Sequence, residues 1–137
     1  MLNSSIQRKH HSNCLLCGQH NPWSLGVKFR AADNGCVRGE FHAHPRLQGY
    51  DGVLHGGVIT ALLDAAMTHS LFHKGIEAVT GDLRVRFLHP IPCDCILDLK
   101  ACVLSEKSKL YVVKAEIVFK EKIMAKAEAK FMLRPKD

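Results

Sequence analysis

A long apolar segment near the middle of the chain most restricts what this protein can fold into. Residues 58–74 contain neither glycine nor proline, and within residues 58–67 only Thr60 and Asp64 are polar. This pattern predicts one helix that ends at Gly75. Apolar residues lie on all sides of it, so we expect a buried helix. It is too short and too polar to span a bilayer.

Asp64 is the unusual residue of this helix. A carboxylate in a buried helix costs free energy unless it is hydrogen-bonded or paired. Thr60 and Thr68 lie one turn before and one turn after it, so the three residues form a narrow polar stripe. Buried ionisable groups in clefts are biased toward function, which makes Asp64 a candidate catalytic residue. The alternative is a core aspartate that bonds to a neighbouring hydroxyl or to backbone.

The start of the helix is the second unusual feature, because His55, Gly56 and Gly57 come directly before the apolar run. Glycine is a poor helix former, so two glycines at the first turn indicate that the backbone approaches something closely. Free N–H groups at a helix N-terminus suit a developing oxyanion. The alternative is that the glycines only allow tight packing of the entering chain.

The spacing of these features predicts a dimer. Gly57 and Asp64 are seven residues apart, which is about 10 Å along a helix axis. One helix therefore cannot easily bring its own Asp64 to its own N-terminal amides. Two antiparallel helices from two subunits could do so, and we predict a symmetric dimer with shared active sites.

The His-Gly-Gly motif, with an acidic residue nine positions after His55 in a helix that is followed by strands, resembles the hotdog-fold acyl-CoA thioesterases. The resemblance is closest to the phenylacetate-degradation (PaaI-type) branch, and it covers the chain from about Cys14 to the C-terminus. It implies an α+β protein in which an antiparallel sheet wraps around one long central helix. It also implies an acyl-CoA substrate and a homodimer, or a homotetramer built from such dimers.

Alternating apolar and polar residues predict two strands before the helix and four after it. The predicted strands are residues 26–31, 36–42, 78–88, 95–105, 110–120 and 123–133. The sequence at 33–35 is a tight-turn signal that makes the first two strands a hairpin. The alanine- and lysine-rich last segment could be helical by propensity, and we assign it to a strand because its alternation is strict.

The resemblance assigns roles to several residues. The Gly56 N–H would donate to the oxyanion, with assistance from Gly57. Asp64 of the partner subunit would be the general base for water, or the nucleophile that forms an anhydride. Thr80 lies where similar enzymes keep a hydroxyl near the attacking water, although a β-branched residue also suits a strand. His55 would contact the thioester, or would fix its loop by bonding to backbone.

One position departs from the family pattern. Many relatives have Asn or Gln six residues before the motif histidine, where its amide orients water or the carbonyl. Gly49 occupies that position here, and Gln48 would substitute if the loop shifts by one residue. Arg84 and Arg86 are candidate contacts to the phosphates or ribose of CoA, since arginine binds phosphate in a bidentate way. The alternative for both arginines is a solvated charged face.

The composition limits the remaining choices. A chain of 137 residues is expected to form one domain, which we divide into an N-terminal extension (1–23) and a core (24–137). Nineteen basic against thirteen acidic residues favour an anionic ligand. No basic run is interleaved with aromatic residues, so we predict neither a nucleic-acid nor a membrane partner. The N-terminus lacks an apolar signal segment, which predicts a cytoplasmic protein whose six cysteines are thiols rather than disulfides.

The N-terminal extension contains a Cys-x-x-Cys motif, formed by Cys14 and Cys17. Three histidines lie near it in sequence: His10, His11 and His20. Two cysteines and two histidines could bind zinc, but a second paired motif of common spacing is missing. A redox motif would follow a strand and begin a helix. We therefore interpret the motif as a packed turn, with Pro22 and Trp23 covering a sheet edge, and we predict no metal and no cofactor.

The sequence leaves two other functions open. A non-catalytic module that binds acyl-CoA or an acyl carrier could use the same cleft, although simple binding does not need a buried Asp64. A dehydratase or hydratase of the same fold is the second alternative. The acid nine residues after His55 favours hydrolysis over hydration. The acyl group could be aryl or a short or medium chain.

Overall fold

The computed structural model describes residues 10–135, and they form a six-stranded antiparallel sheet with a long helix packed against one face. The elements in chain order are β1 (Phe29–Ala31), β2 (Cys36–His42), α1 (Gly56–Phe72), β3 (Ala78–Phe87), β4 (Ile96–Lys107), β5 (Leu110–Phe119) and β6 (Lys122–Leu133). The strand order across the sheet is β1-β2-β4-β5-β6-β3. The order of strands and helix predicted from the sequence is confirmed.

Helix α1 begins two residues earlier than predicted and includes both glycines of the motif. It ends at Phe72, and Gly75 then adopts a left-handed φ of +75°, which turns the chain toward β3. The residues of α1 that face the sheet are fully buried, with Leu62, Leu63 and Met67 at 0% exposure. Within the described residues, no helix has the length and apolarity needed to cross a membrane.

The alternation along the strands places one side of the sheet on α1 and the other side outward. In β6 the three alanines 125, 127 and 129 are buried, whereas the charged residues between them are exposed. The assignment of this segment to a strand is therefore confirmed, because the period of two and the cross-strand pairing override the helical propensity of alanine. Two-residue connections with left-handed φ angles at Lys120 and Glu121 close the hairpin between β5 and β6.

Strand β3 lies at one edge of the sheet. In the described part of the chain it pairs only with β6, so the backbone groups of its other side are available for a further strand. The register shifts between Thr80 and Asp82, which marks a bulge at Gly81. The site described below lies beside this open edge.

The first strand is shorter than predicted. It begins at Phe29 instead of residue 26, because Gly26 has a left-handed φ of +66° that breaks the extended conformation. The preceding segment pairs with the Cys-x-x-Cys turn through two backbone hydrogen bonds: Leu25 N to Leu15 O, and Val27 N to Leu16 O. Trp23 is 81% exposed and does not cover a sheet edge, so that part of the sequence prediction is wrong.

The prediction that all six cysteines are thiols is also wrong. Cys36 in β2 and Cys102 in β4 are direct cross-strand partners, and a disulfide joins them. Their separation of 66 residues explains why the sequence did not reveal the pair. The partnership depends on the register of two strands that are not consecutive in the chain.

Candidate functional site

The carboxylate of Asp64 lies between α1 and the edge strand β3. The Thr80 hydroxyl donates a hydrogen bond of 2.6 Å to Asp64 Oδ1. Asp64 is half-buried, whereas Thr80 is exposed at the sheet edge. The structure thus brings together two residues that are sixteen positions apart and that the sequence named separately as candidates.

The environment changes the acidity of this carboxyl. Burial raises the pKa of Asp64, and the hydrogen bond from Thr80 opposes part of that rise. A carboxylate with a raised pKa is a stronger base than an ordinary surface aspartate. That property suits proton abstraction from water.

The polar stripe predicted along α1 is present, but its hydroxyls bond to the backbone. Thr60 Oγ1 donates to the Gly56 carbonyl at 2.9 Å, and Thr68 Oγ1 donates to the Asp64 carbonyl at 2.9 Å. Both are bonds to the residue one turn earlier, which hydroxyls in helices often make. Among the described residues, Thr80 is therefore the side chain that donates to the Asp64 carboxylate.

The motif histidine caps the N-terminus of α1. The Gly57 N–H donates to His55 Nδ1 at 2.8 Å. An Nδ1 that accepts carries no proton, so the neutral ring holds its proton on Nε2 in this geometry. The loop-fixing role and the ligand-contacting role considered for His55 are thus compatible, because the cap uses Nδ1 and leaves the Nε2–H as a donor.

This cap decides which backbone amide is available to a ligand. The Gly57 N–H, a predicted assistant, is already bonded to His55. The N–H of Gly56 has no acceptor among the described residues, as expected at the first position of a helix. A cleft of about 650 Å³ adjoins this amide. Its walls include Tyr50, Leu54 and Phe87, and its volume is typical of small-molecule sites.

The loop before the helix is closed by Gln48. Its Oε1 accepts a hydrogen bond of 2.9 Å from the Gly52 N–H, which places Gln48 in the loop rather than against the helix start. Gly49 packs beside the motif histidine, and a Cβ there would lie 3.4 Å from His55 Cα. Of the two candidate positions, Gln48 thus supplies an oxygen that closes the loop, and Gly49 supplies a close backbone contact with His55.

One chain does not bring all predicted catalytic groups together. Gly56 and Asp64 lie eight residues apart on the same helix, which is about 12 Å along its axis. The cleft at Gly56 and the carboxylate of Asp64 are two separate half-sites in a single subunit.

Arg84 and Arg86 lie away from both half-sites. They are exposed on the outward face of β3 and line a second cavity of about 500 Å³. The other charged side chains around this cavity are Lys100, Lys114, Glu116, Lys126 and Glu128. Five cations against two carboxylates give this cavity an excess of positive charge, which favours anions, and within residues 10–135 none of the five forms an ion pair.

A further cluster lies in the N-terminal segment. The ligand atoms of His11, Cys14 and Cys17 all lie within 4.8 Å of one another. The pKa of the Cys14 thiol is lowered to about 3, mainly by a hydrogen bond with Cys17 and with a smaller contribution from His11, although burial opposes the change. The sequence predicts a packed turn here. It does not reveal the cluster, because the convergence of His11 on the two sulfurs depends on the fold of the turn.

Comparison with known proteins agrees with this architecture. Residues 51–124, which include α1 and the His-Gly-Gly motif, match the family model of the thioesterase superfamily. A candidate esterase of Saccharolobus solfataricus is 30% identical over 91 residues. That alignment covers 65% of this chain, and the chain spans only 60% of the length of that relative.

Solved structures show the same fold. A thioesterase superfamily protein has a TM-score of 0.79 at 25% identity, over 84% of this chain and 60% of the other. The PaaI protein of the E. coli phenylacetic acid degradation operon has a TM-score of 0.74 at 24% identity, covering 79% of this chain and 83% of that one. A Streptococcus mutans protein bound to acetyl CoA also has a TM-score of 0.74, at 20% identity, with 80% and 90% coverage. The fold is a hotdog fold, and by its match over more than half of its length this chain belongs to the thioesterase superfamily.

Proposed function

We propose that this protein hydrolyses the thioester of an acyl-CoA at a site shared between two subunits. The observation that carries the proposal is the Asp64 carboxylate, half-buried beside the open edge of β3, with a raised pKa and a hydrogen bond from Thr80. The second half-site is the free Gly56 N–H beside a cleft of suitable size. Family membership supports thioester chemistry as the class of reaction.

Pairing two β3 edges in an antiparallel manner would complete the site. A two-fold axis at that edge continues the sheet from one subunit into the next, and it sets the two α1 helices side by side in opposite directions. The partner's helix start would then lie near Asp64. Exposed apolar residues at this edge, such as Val79 (46%) and Phe87 (54%), support an interface there.

In the general-base route, Asp64 accepts a proton from water while the water oxygen attacks the thioester carbonyl. The carbonyl oxygen becomes an oxyanion held by the Gly56 N–H, and the Nε2–H of His55 is a second donor in reach of the cleft. The intermediate then expels the CoA thiolate as the carbon–sulfur bond breaks. The proton on Asp64 returns to the sulfur, and the products are a carboxylic acid and CoA thiol.

The nucleophilic route uses the same groups. The Asp64 oxygen attacks the carbonyl carbon, CoA thiolate leaves, and water hydrolyses the resulting anhydride. A single turnover in ¹⁸O-labelled water distinguishes the routes. Hydrolysis of an anhydride can place the label in Asp64, whereas direct attack by water places it only in the released acid.

The substrate class is supported by proteins of the same fold and by the lining of the cleft. Acetyl CoA is bound by one protein of this fold, and another comes from a phenylacetic acid degradation operon. These neighbours support our proposal of a PaaI-type thioesterase that acts on an aryl or a short or medium acyl group. The cleft walls are mostly apolar, which suits such groups. We propose Arg84 and Arg86 as contacts to the phosphates of CoA across the subunit boundary.

The test is release of CoA thiol from a panel of acyl-CoA thioesters. Asp64→Asn is expected to lower kcat/KM by about 100-fold or more, because it removes the base or nucleophile. Gly56→Pro removes the oxyanion donor at a helix position that tolerates proline, and it should also lower kcat. Gly56→Ala is the matched control, since it keeps the N–H and its Cβ would meet Phe87 at an ordinary 3.7 Å.

A non-catalytic binding module is the second candidate, and one observation favours it. Gly49 has no side-chain amide, and the Oε1 of Gln48 is occupied in closing the loop with Gly52. If no thioester is hydrolysed while calorimetry detects acyl-CoA binding, the enzymatic proposal fails and the binding module is favoured. Turnover of an enoyl thioester without thiol release would indicate a hydratase instead.

A further inference from the structure

The N-terminal turn brings three metal-ligating atoms to one point outside the proposed catalytic site. Cys17 Sγ lies 3.7 Å from His11 Nδ1, and all three ligand atoms, including Cys14 Sγ, lie within 4.8 Å of one another. Zinc binds sulfur at about 2.3 Å and imidazole nitrogen at about 2.0–2.1 Å in a tetrahedron, which sets a sulfur-to-nitrogen separation of about 3.6 Å. The observed separation agrees with that edge.

Hydrogen bonds hold the turn that presents the two sulfurs in a defined conformation. The Leu16 N–H donates to Cys14 Sγ at 3.3 Å, and the Gly18 N–H donates to the Cys14 carbonyl at 2.9 Å. A Cβ on Gly18 would lie 2.5 Å from the Cys14 nitrogen, so a side chain at this position would force the turn open. An amide that donates to a cysteine sulfur stabilises its thiolate, which is the form that binds metals.

The surroundings of the cluster are enclosed. Cys17 is buried and the other two ligands are half-buried, and the His11 ring packs edge-on against Phe72 at 4.8 Å between centroids. The cluster therefore lies at the C-terminal end of α1. In the last turn of that helix, His69 has both ring nitrogens buried without a hydrogen-bond partner among the described residues, and His73 Nε2 is in the same condition. These two histidines lie outside the group of mutually close ligand atoms, which among the described residues contains His11, Cys14 and Cys17.

We propose that His11, Cys14 and Cys17 bind a thiophilic divalent cation, Zn²⁺ in the first instance, with the fourth position filled by water. The site has no reactive group of the proposed thioesterase mechanism in it. Its role is structural: the ion fastens the N-terminal segment over the end of α1, where the segment already pairs with residues 25–27. Metal binding in such small loops contributes directly to folding free energy.

The experiment uses the full chain purified under a non-chelating reductant and supplied with one equivalent of zinc. Elemental analysis after gel filtration is expected to find about one zinc ion per chain. Cobalt in place of zinc should give the visible bands of a tetrahedral site and the near-ultraviolet thiolate-to-cobalt charge-transfer band. This band reports cysteine ligands, so binding of metal by the other histidines cannot imitate it.

Matched variants locate the site. Cys14→Ser should abolish the thiolate band and reduce the zinc content to background, whereas Cys93→Ser, at another half-buried cysteine, should leave both unchanged. His11→Ala should weaken binding, while the exposed His20→Ala should not. If the wild-type protein shows no charge-transfer band with cobalt, the proposal is overturned without reference to any variant. It is also overturned if Cys14→Ser retains the band.

Discussion

At the scale of single residues, Asp64 is held between two opposing influences. Burial disfavours its ionised form, and the 2.6 Å hydrogen bond from Thr80 favours it. In the proposed reaction the carboxylate must be ionised to act as base or nucleophile. Thr80 is then a positioning residue that sets both the orientation and the acidity of the carboxyl.

Thr80→Val should move the acid limb of the kcat/KM profile to higher pH. Without the hydroxyl the carboxylate loses its donor, so the pKa of Asp64 rises further and a smaller fraction of the protein has an ionised Asp64 at low pH. The measurement is thiol release across a pH series, in which the loss of activity should be greater in acid than in alkali. Thr80→Ser should restore the wild-type profile.

Thr68→Val provides the matched control for that change. Its hydroxyl bonds to the Asp64 carbonyl and not to the carboxylate, so its removal should leave the acid limb in place. An equal displacement of the limb by both valine variants would contradict the assigned role of Thr80.

His69→Leu should reduce the loss of stability in acid. Burial, with smaller contributions from nearby His11 and His73, lowers the pKa of His69 to about 3 from an ordinary 6.5. Between these values the unfolded chain binds a proton that the folded chain does not, so the free energy of unfolding falls as pH falls, by about 1.4 kcal/mol per pH unit. The leucine variant lacks this contribution.

Urea unfolding at pH 7 and at several acidic values measures the effect. The wild-type protein should lose stability more steeply toward acid than His69→Leu does. The exposed His20→Leu should behave as the wild type. Parallel slopes for all three proteins would mean that His69 is protonated in the folded state.

At the scale of secondary-structure elements, the contact between β1 and β2 depends on a glycine, Gly39, which has no side chain. Phe29 and Gly39 are cross-strand partners, and the Phe29 ring lies over the glycine while it stacks on His69 at 4.6 Å between centroids. A Cβ on Gly39 would lie 2.7 Å from the Lys28 carbonyl oxygen and 2.9 Å from the Phe29 ring. The glycine therefore makes room for the aromatic packing that attaches β1 to the helix.

Gly39→Ala should destabilise the protein by about 1–3 kcal/mol, because the backbone oxygen at 2.7 Å cannot move away without separating the strands. Denaturant unfolding measures the change. Gly81→Ala is the control within the same sheet, since its Cβ would meet its first neighbour at 3.5 Å, and it should stay within about 1 kcal/mol of wild type. Equal stabilities of the two variants would contradict this account of the β1–β2 contact.

The elements that the sequence revealed are those whose signals are local. The helix follows from a long apolar run without glycine or proline, and the five longer strands follow from alternation with a period of two. The segment at residues 26–28 was misassigned because its backbone pairs with Leu15 and Leu16 across the Cys-x-x-Cys turn. Its alternating pattern is real, since Val27 is buried, but alternation does not identify the pairing partner.

The candidate site shows the same division between features with local sequence signals and features that depend on the fold. Asp64 and the Gly56 amide can be named as candidates from the sequence, because a charge and two glycines contradict the local helical pattern. The bonds that define their roles were not found: Gly57 to His55, Gln48 to Gly52, and the hydroxyl of Thr80 to the carboxylate. The convergence of His11 with two cysteines likewise depends on how a short polar segment folds back.

At the scale of the whole molecule, the two half-sites of one chain are separated along α1, and the proposed dimer unites them. Each active site would take its base from one subunit and its oxyanion donor from the other. A variant defective in one half-site should then be complemented by a variant defective in the other.

Mixing Asp64→Asn with Gly56→Pro, after unfolding and refolding together, should recover activity that neither variant has alone. Half of the dimers formed at random are mixed, and each mixed dimer holds one intact and one doubly defective site, so about a quarter of wild-type activity is expected. Thiol release on the refolded mixture measures it. If each chain contains a complete site, the mixture will show only the sum of the two separately refolded variants.

The Cys36–Cys102 disulfide affects what happens to the protein after proteolytic cleavage of its backbone. The covalent ring that it closes runs from β2 to β4 and contains His55, Gly56, Asp64 and Thr80. A protease that nicks the exposed loop at Tyr50 would open the ring without releasing a fragment. The fragment that holds β1 and β2 would stay tethered to the fragment that carries these four residues until a reductant reached the sulfurs, so proteolysis and chemical reduction would have to coincide before the two fragments could separate.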